Sequence, residues 1–400
     1  MNGNLGHGRL RRSGQRRVAT RSRRSRGPRF GDDRVNAARF PWLGVAISTL
    51  PGLAAIAAVL FTWVAVGQTK EELRIAEQGQ ITNRFNAAIT NLGSKSMDVR
   101  LGGIYALQRI MQDSSRDHLT VVSVLATFVR DHAAIPGDGQ GLDVTSKAPA
   151  DIQAAMGVLG TRPPGRYEPV ALDLPNTHLT GVTIVRPLLR GAQLPEAVLT
   201  EAKLSGGNFV HANLNRTTLI YATLSGADLT RADLGYAFLT GAFMGGSRLA
   251  NADLEWADIA GADLSHADLT SADLTSVALL GTKFTGANLK GVKLSDATRD
   301  FRAPSRTWGL SYLSHLRTYT DFTNATLEGS DLRRSDFKGA RFTGARLAGA
   351  DLRQADLTDA DLTNADLTNA DLTGADLRGA RLDGAKRRGA RGLPTATPSA

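Results

Sequence analysis

An apolar residue recurs at every fifth position through much of this 400-residue chain. From Leu174 to Leu294 each fifth residue is Leu, Ile, Phe or Met, 25 times without a miss, and the count resumes at Phe322 for 13 further units, ending at Leu382. This period fits neither an α-helix nor a half-buried strand, whose side-chain periods are about 3.6 and 2. Fixed-period self-similarity indicates a stacked repeat architecture, so this part of the chain is predicted to form one long solenoid.

Most repeats have a small residue two positions before the central apolar residue, as in Ala350-Asp351-Leu352. Alternation around the polar middle residue places the small and the large side chain on the same, inner side. Asp, Thr, Arg, Gly and Asn fill the outward and turning positions, in keeping with their turn preferences. The interior is therefore predicted to contain Leu and Phe at the centre and Ala in the narrower corners.

With units of the form A-(D/N)-L-x-x, the chain resembles the pentapeptide-repeat family. The resemblance implies a mainly β fold, a right-handed quadrilateral β-helix in which four pentapeptides form one square coil. The helix-rich segment ahead of the repeats is similar to one found before pentapeptide repeats in actinobacterial membrane proteins. The resemblance implies relatives rather than an activity, because that group is largely uncharacterised biochemically.

One transmembrane helix is predicted before the repeats, because residues 42–66 contain no charged residue. As a helix this segment would be about 37 Å long, enough to cross a hydrocarbon core of about 30 Å. Trp42 and Trp63 lie near its ends, where indoles favour the membrane interface. A cleaved signal peptide and a buried core helix are the alternatives, but a signal peptide's apolar region is usually only about 7–15 residues long. We therefore predict an uncleaved anchor that contacts membrane lipid through residues 42–66.

The formal net charge of +10 comes from residues 1–40, which contain twelve arginines against Asp32 and Asp33. Because positive flanks stay on the cytoplasmic side, a single-pass protein with a cytoplasmic N-terminus and an extracytoplasmic C-terminal β-helix is predicted. This segment is poor in apolar residues, so it is predicted to be disordered. Nucleic-acid binding is the less favoured role, since no aromatic residue interleaves the arginines before Phe30.

Helical spacing of apolar residues predicts a small α-helical module over residues 68–160. Helices are expected at 68–92, Met97–Gln112, Leu119–His132 and Ala150–Leu159. This module is predicted to cover the exposed edge of the first coil.

The five-residue phase breaks between Leu294 and Phe322, which are 28 positions apart. A loop thrown out of a regular solenoid is a natural place for recognition. Its aromatic residues and histidine form a possible partner-binding loop: Trp308, Tyr312, His315 and Tyr319. The alternative is a solvent-side insertion whose large aromatic residues pack against a face of the coil.

These observations divide the chain into seven predicted segments. They are a disordered tail (1–40), the transmembrane helix (41–67), the helical module (68–160), a first β-helix run (170–296), an inserted loop (297–320), a second β-helix run (321–385) and a disordered tail (386–400).

No catalytic, cofactor-binding or metal site is predicted. The chain lacks cysteine and its seven histidines are scattered. Outward carboxylates such as Asp351, Asp371 and Asp376 are expected to stack on neighbours twenty residues away and to keep ordinary pKa values. Such groups are poor candidates for acid–base chemistry, and the chain is predicted not to be an enzyme.

Two binding functions remain. The first is a membrane-anchored structural module that binds a protein partner; the second is mimicry of DNA toward a topoisomerase such as DNA gyrase, which the resemblance suggests. A DNA mimic should be strongly acidic along its length, whereas residues 170–385 contain 25 acidic and 21 basic residues. The first hypothesis is therefore favoured, with the partner and the oligomeric state left open.

Overall fold

The computed structural model describes residues 41–135, 146–162, 171–299 and 319–393, with the backbone alone for residues 41–51 and 53. The chain divides between Leu73 and Arg74 into two compact units. The described part of the first unit is the N-terminal portion of helix α1, and the second unit contains the rest of α1, three further helices and the repeats.

Helix α1 extends over Pro41–Leu92, a single element of 52 residues. The predicted membrane span, 42–66, lies within it, but the side chains of residues 42–51 and 53 are outside the described part. Over the residues that the structure does describe, no helix combines the length and apolarity needed to cross a membrane.

The predicted helical module is confirmed. After α1 it contains α2 (Met97–Asp113), α3 (His118–His132) and α4 (Ala150–Gly160), each within a residue or two of the predicted bounds. Helices α2, α3 and α4 pack on one another. Their apolar stripes form one core with the first repeats, because an amphipathic helix is stabilised by burying its apolar face.

This module covers the edge of the first coil through backbone hydrogen bonds. Ala134 forms an antiparallel bridge with Thr177, and the His178 N–H donates to the Ala133 carbonyl at 2.6 Å. At another side of the coil the Leu188 N–H donates to the carbonyl of Gly160, the last residue of α4, at 2.8 Å. The strand edge that a solenoid would leave unpaired here is therefore hydrogen-bonded to the helical module.

The repeats form the predicted four-sided β-helix. Bridging residues pair in parallel with residues twenty positions later, so four pentapeptides complete one coil. We name the four sides after one coil: side A contains Asp233, side B Phe238, side C Phe243 and side D Arg248. The spacing between coils is that of paired strands, about 4.8 Å.

A turn follows each central apolar residue and forms a corner of the coil. The residue two positions after the centre has a positive φ, and the N–H of the next residue returns to the central carbonyl, as from Ala242 to Leu239 at 2.9 Å. These are the features of a type II turn, which favours glycine or asparagine at its third position. Gly241 has a φ of 65°, and a Cβ at this position would also clash with the Tyr221 ring.

Inside the coil, the central residues and the small corner residues are buried as predicted. Leu264, Leu289 and Leu352 are each 0% exposed, and so are Ala262 and Ala365. At five positions where the corner residue is Ser or Thr instead of Ala, its hydroxyl donates to a central carbonyl of the coil below: Thr217 to Leu194, Thr282 to Ile259, Thr320 to Leu279, Ser330 to Leu289 and Ser335 to Leu294. Ser247, at the same position of its repeat, is buried without a hydrogen-bond partner. Most of these interior hydroxyls are therefore satisfied by a backbone acceptor.

The break in the five-residue period does not interrupt the stack. Ala278 pairs with Thr298 at the usual separation of twenty, whereas Lys283 pairs with Asp321 at a separation of 38. The separation between paired residues is therefore eighteen residues larger at this point, and the chain after the inserted segment continues the ladder in register. The two predicted runs form one continuous ladder, since long surface insertions cost a solenoid little.

At its other end the ladder extends past the predicted boundary at residue 385. Asp366 pairs with Lys386 and Asp371 with Arg391. The segment 386–391, expected in the disordered tail, therefore belongs to the last coil. Its backbone can pair despite the missing apolar residue at position 387, because the coil below supplies the hydrogen-bond partners.

Candidate interaction surface

The Asp or Asn that precedes the central apolar residue in many repeats has a local structural role that the sequence pattern did not reveal. Its side-chain oxygen accepts the N–H of the residue two positions later, as from Gly235 to Asp233 at 2.9 Å and from Thr358 to Asp356 at 2.8 Å. The other four N–H groups of a typical unit donate to backbone carbonyls. The carboxylate therefore satisfies the one backbone donor that the coil leaves over.

Charges on the outer surface are paired between coils. Arg248 contacts Asp228 at 2.7 Å and Lys293 contacts Asp273 at 2.9 Å, in each case across twenty residues. Lys386 of the last coil likewise contacts Asp366 below it at 3.4 Å. Where two Asp residues stack, as Asp351 on Asp371, the neighbouring Arg353 forms a bidentate pair with Asp351. Each exposed pair contributes little alone, but together they relieve the repulsion of stacked carboxylates.

The expectation of ordinary carboxyl pKa values was wrong. Hydrogen bonds from the Arg378 side chain, and then from its backbone N–H, lower the pKa of Asp376 to about 2. The Thr368 and Thr373 side chains and N–H groups likewise hold the pKa values of Asp366 and Asp371 below their usual range. Exposure alone does not fix a pKa, because hydrogen bonds to the charged form stabilise it.

These lowered pKa values predict that the β-helix loses stability in acid. A carboxyl group with a lowered folded-state pKa stabilises the fold above its unfolded pKa of about 3.9. That contribution disappears as the pH falls through the folded-state pKa, which for Asp376 is about 2. We expect the melting temperature, followed by circular dichroism, to fall progressively between about pH 4 and pH 2. A melting temperature that is constant over this interval would contradict the assignment.

An aromatic ladder extends along the corner between sides A and B. The rings of Tyr236 and Trp256 are parallel within 5°, with centroids 6.3 Å apart. Arg216 belongs to the coil below Tyr236, and its guanidinium lies 5.6 Å from the centroid of the Tyr236 ring. Tyr236 is 48% and Trp256 39% exposed, so the ladder presents a large apolar surface to solvent.

All three residues of this ladder have the left-handed backbone conformation of the corner, with φ of 56°, 57° and 63° for Arg216, Tyr236 and Trp256. At the same turn position other repeats have glycine, asparagine or a larger residue, such as Gly261, Asn364 or Glu201. A non-glycine residue in this region costs about 1–2 kcal/mol. The two exposed aromatic residues therefore share this backbone conformation with many other repeats.

Of the four residues of the predicted partner-binding loop, the structure describes only Tyr319. Trp308, Tyr312 and His315 lie outside the described residues. Tyr319 is half-buried where the chain rejoins the coil, and the Arg341 guanidinium lies 4.1 Å from its ring centroid. The Tyr319 ring therefore stacks on the Arg341 guanidinium of the next coil. Over the described ranges, no three His, Asp or Glu side chains are grouped closely enough to hold a metal ion.

The sequence model of the family described as pentapeptide repeats matches this chain in eight copies, over residues 177–298 and 320–391. A solved pentapeptide-repeat protein, HetL from the cyanobacterium Nostoc sp. strain PCC 7120, is 30% identical, and the match covers 88% of HetL and 55% of this chain. This chain is a pentapeptide-repeat protein. The TM-score with HetL is 0.31.

Other solved pentapeptide-repeat proteins are more distant. QnrB1, a plasmid-mediated fluoroquinolone resistance protein, is 20% identical over 48% of this chain and 90% of its own, with a TM-score of 0.22. A pentapeptide-repeat protein of the Arabidopsis thaliana thylakoid lumen is 29% identical over 28% of this chain and 70% of its own, with a TM-score of 0.16. No curated protein matches the chain.

Sequence reasoning missed the aromatic ladder of this pentapeptide-repeat protein. Tyr236 and Trp256 are twenty residues apart, a separation that becomes a contact only once four repeats complete a coil. A search for aromatic residues at the third turn position, at intervals of twenty, would have found them.

Proposed function

We propose that this protein is a membrane-anchored interaction module, without catalytic chemistry, that binds a protein partner through its β-helix. The aromatic ladder is the observation that carries the proposal. Tyr and Trp are enriched at protein interfaces, and exposed aromatic residues on an otherwise polar surface point to a binding patch.

The outward carboxylates support a binding role over acid–base chemistry. Asp233 and Asp356 accept backbone N–H groups, and Asp228 and Asp273 pair with cations of the next coil. Carboxylates committed to such contacts are poor proton donors or acceptors near neutral pH. The paired charges also make the rod unlike the uniformly acidic surface that a DNA mimic needs.

The point where the chain leaves the coil is near the ladder, and we propose the inserted segment as part of the same surface. It leaves the coil after Thr298 on side B, and Tyr236 and Trp256 occupy the corner next to that side. Trp308, Tyr312 and His315 would extend the aromatic patch of Tyr236 and Trp256.

The double substitution Tyr236→Asn and Trp256→Asn tests this function. Asparagine suits the left-handed corner, so relief of strain offsets the loss of stacking, which is worth about 0.5–1.5 kcal/mol. We expect the thermal melt to shift little. The chain is crosslinked in membranes of the native cells and then purified by affinity. The double variant should recover the partners of the unsubstituted chain at several-fold lower yield, because aromatic hot spots contribute most to binding.

Arg231→Asn is the matched control, because Arg231 is exposed at another corner with the same positive φ of 58°. It should leave partner recovery unchanged. If the double variant recovers the same proteins as the control, the ladder is not the binding surface.

The membrane anchor rests on the uncharged segment 42–66 and its arginine-rich flank. We propose a cytoplasmic N-terminus and an extracytoplasmic β-helix on the positive-inside rule. Protease added to intact cells after permeabilisation of any outer layer should degrade a C-terminal tag and spare an N-terminal one. Degradation of neither tag, or release of the protein by carbonate washing, would contradict the anchored topology.

A further inference from the structure

The last coil of the β-helix, residues 372–391, differs in charge from the coil on which it stacks. Residues 352–371 contain five acidic residues and one basic residue, whereas residues 372–391 contain two acidic and six basic residues. Each coil is paired with the one below it, as Arg381 is with Asp361 and Lys386 with Asp366. No described residue bridges to the last coil from above, so the rod ends in a basic coil on an acidic one.

The upper edge of this coil has unpaired backbone groups of both kinds. In the coil below, the N–H of a central residue donates upward, as from Leu367 to the Lys386 carbonyl at 2.8 Å. The carbonyl of a corner residue accepts from above, as Ala365 accepts the Lys386 N–H at 2.9 Å. Over the described ranges, the equivalent groups of the last coil have no backbone partner: the N–H groups of Leu377, Leu382 and Arg387, and the carbonyls of Ala375, Ala380 and Ala385. Such an edge is a template for another strand.

The apolar interior is open at the same end. Leu377 and Leu382 are the central residues of the last coil and are only half-buried, whereas Leu357 and Leu362 directly below them are 0% exposed. The corner alanines of the last coil are half-buried as well: Ala375, Ala380, Ala385 and Ala390. Covering this surface would remove apolar groups from water, which is favourable. The end of the rod therefore combines an apolar centre with an unpaired strand edge.

Arg387 occupies the position where the period calls for the next central apolar residue, five residues after Leu382. The residue is exposed, and its guanidinium donates to the Leu382 carbonyl at 2.8 Å. The positive charge thus lies at the rim of the open interior and contacts a neutral acceptor. A guanidinium has five N–H donors, so Arg387 retains donors for a carboxylate, which is a stronger partner.

The six basic residues of the last coil fall into two groups. The first group is paired with carboxylates: Arg378 with Asp376, Arg381 with Asp361 and Lys386 with Asp366. The second group consists of Arg387, Arg388 and Arg391, which are exposed and form no ion pair with a residue that the structure describes. The excess positive charge of the end is therefore concentrated in residues 387–391.

This combination of groups favours a polypeptide as the occupant of the end. A phosphate group, free or on a lipid, offers acceptors to the arginines but has no N–H for the corner carbonyls. An added strand supplies both an N–H and a carbonyl, as the coils do to one another. A second copy docked end to end would place an identical basic coil against this one, and like charges disfavour that contact.

We propose that the open end of the rod, residues 375–391, binds an acidic polypeptide segment of another protein, which adds to the last coil as an extended strand. On side D its backbone pairs with the Ala385 carbonyl and the Arg387 N–H. Its carboxylates pair with Arg387 and Arg388, and one of its apolar side chains covers Leu382. This site is separate from the aromatic ladder, so the failure of one binding surface leaves the other untouched.

A peptide of five Glu-Val repeats tests the site, because an extended strand places its carboxylates on one face and its apolar side chains on the other. One valine is replaced by a benzoylphenylalanine, and photocrosslinks to the full chain in a neutral detergent are mapped by mass spectrometry. We expect crosslinks within residues 375–391. A peptide with the same side chains but a methyl group on every backbone nitrogen should give at least about tenfold fewer of them, because it has no backbone donor.

The arginine-rich residues 1–40 provide an internal control for charge. They attract both peptides through the same glutamates, so crosslinks to this region should be equal for the two peptides. If the two peptides also crosslink equally within residues 375–391, or if neither crosslinks there, the end does not bind an added strand and the proposal is overturned.

Substitutions of Arg387 separate binding from folding. Arg387→Leu places an apolar residue at the central position, so the melting temperature followed by circular dichroism should not fall. It should nevertheless reduce crosslinking within residues 375–391 at least about fivefold, because the carboxylate of the peptide loses its cation. Arg387→Lys keeps the charge and should retain most of the crosslinking. Unchanged crosslinking of the leucine variant would overturn the proposal.

A second pair of variants is independent of the central position. Arg388→Gln should reduce crosslinking within residues 375–391 several-fold. Arg190→Gln is the matched control, because Arg190 is also exposed and also follows the central position of its repeat, at the other end of the rod. It should leave crosslinking unchanged. Equal crosslinking of these two variants would show that Arg388 does not contact the strand and would contradict the proposed site.

The two competing occupants give different results. Dihexanoyl phosphatidylglycerol, below its micelle concentration, should displace the peptide from residues 375–391 far less than an excess of the same peptide without the photoreactive group does. Equal displacement would assign the end to a phosphate group and overturn the proposal. Sedimentation of the full chain in detergent should give the same mass with and without Arg387→Leu. A change from dimer to monomer on this substitution would assign the end to a second copy and overturn the proposal as well.

Discussion

Replacing Phe322 with alanine should destabilise the β-helix by about 3–5 kcal/mol, the usual cost of truncating a buried Phe. Phe322 is 0% exposed and is the first core residue after the insertion. Its ring is parallel to Phe284 below and Phe342 above, with centroids 5.0 and 4.8 Å away, and it meets Phe337 edge-on at 5.6 Å. Alanine would leave a cavity bordered by these three rings. A stack of hydrogen-bonded coils can close such a cavity only in part.

Chemical denaturation monitored by circular dichroism measures this loss. Phe322→Leu is the matched control, because leucine is the central residue of most other repeats and retains much of the volume. It should cost less than about 1.5 kcal/mol. If the alanine variant unfolds at the same denaturant concentration as the leucine variant, the aromatic stack does not stabilise the re-entry of the chain.

Replacing Arg100 with methionine should destabilise the helical module by about 3–5 kcal/mol. The Arg100 side chain is 15% exposed and that of Asp151, which it contacts at 2.6 Å, is 2% exposed. Arg100 also donates to the carbonyls of Ser94 and Lys95 at 3.1 Å. Without the arginine, the Asp151 carboxylate would remain buried between α2 and α4 without its cation, and a buried carboxylate with no counter-charge is strongly disfavoured.

The double variant Arg100→Met with Asp151→Asn removes both charges and should recover much of the stability. Arg353→Met is the control for an exposed pair, since Arg353 and Asp351 have side chains 47% and 29% exposed. It should cost less than about 1 kcal/mol. If chemical denaturation shows that Arg100→Met and Arg353→Met lose the same unfolding free energy, the buried pair stabilises the fold no more than an exposed pair does.

Much of the fold followed from local patterns. The five-residue period predicted which side chains form the interior, and Leu264, Leu352 and Phe342 are buried as expected. Helical spacing predicted α2, α3 and α4 with bounds close to those observed, whereas the helix predicted over 68–92 is the C-terminal part of α1, which begins at Pro41. These predictions succeeded because burial of an apolar stripe is decided within a few residues of sequence.

The candidate surface was less accessible to sequence reasoning. The Asp of each repeat looked like a solvated charge, although its side chain satisfies a backbone N–H two residues away and its pKa is lowered in several repeats. The ladder of Tyr236 and Trp256 was not foreseen, because the two rings meet only when the coil closes. The predicted loop residues Trp308, Tyr312 and His315 remain a proposal, and Tyr319 lies at the point of re-entry beneath Arg341.

The sequence by itself determined the period, and with it the coil, the interior and the corner turns of this pentapeptide-repeat protein. Only the tertiary structure decided that the 28-residue gap between Leu294 and Phe322 leaves the ladder in register and that Lys283 pairs with Asp321. The physical reason is the distance along the chain at which each effect acts. Burial and turn geometry are decided within five residues, whereas charge pairing and ring stacking depend on residues about twenty positions apart that meet only after the coils have stacked.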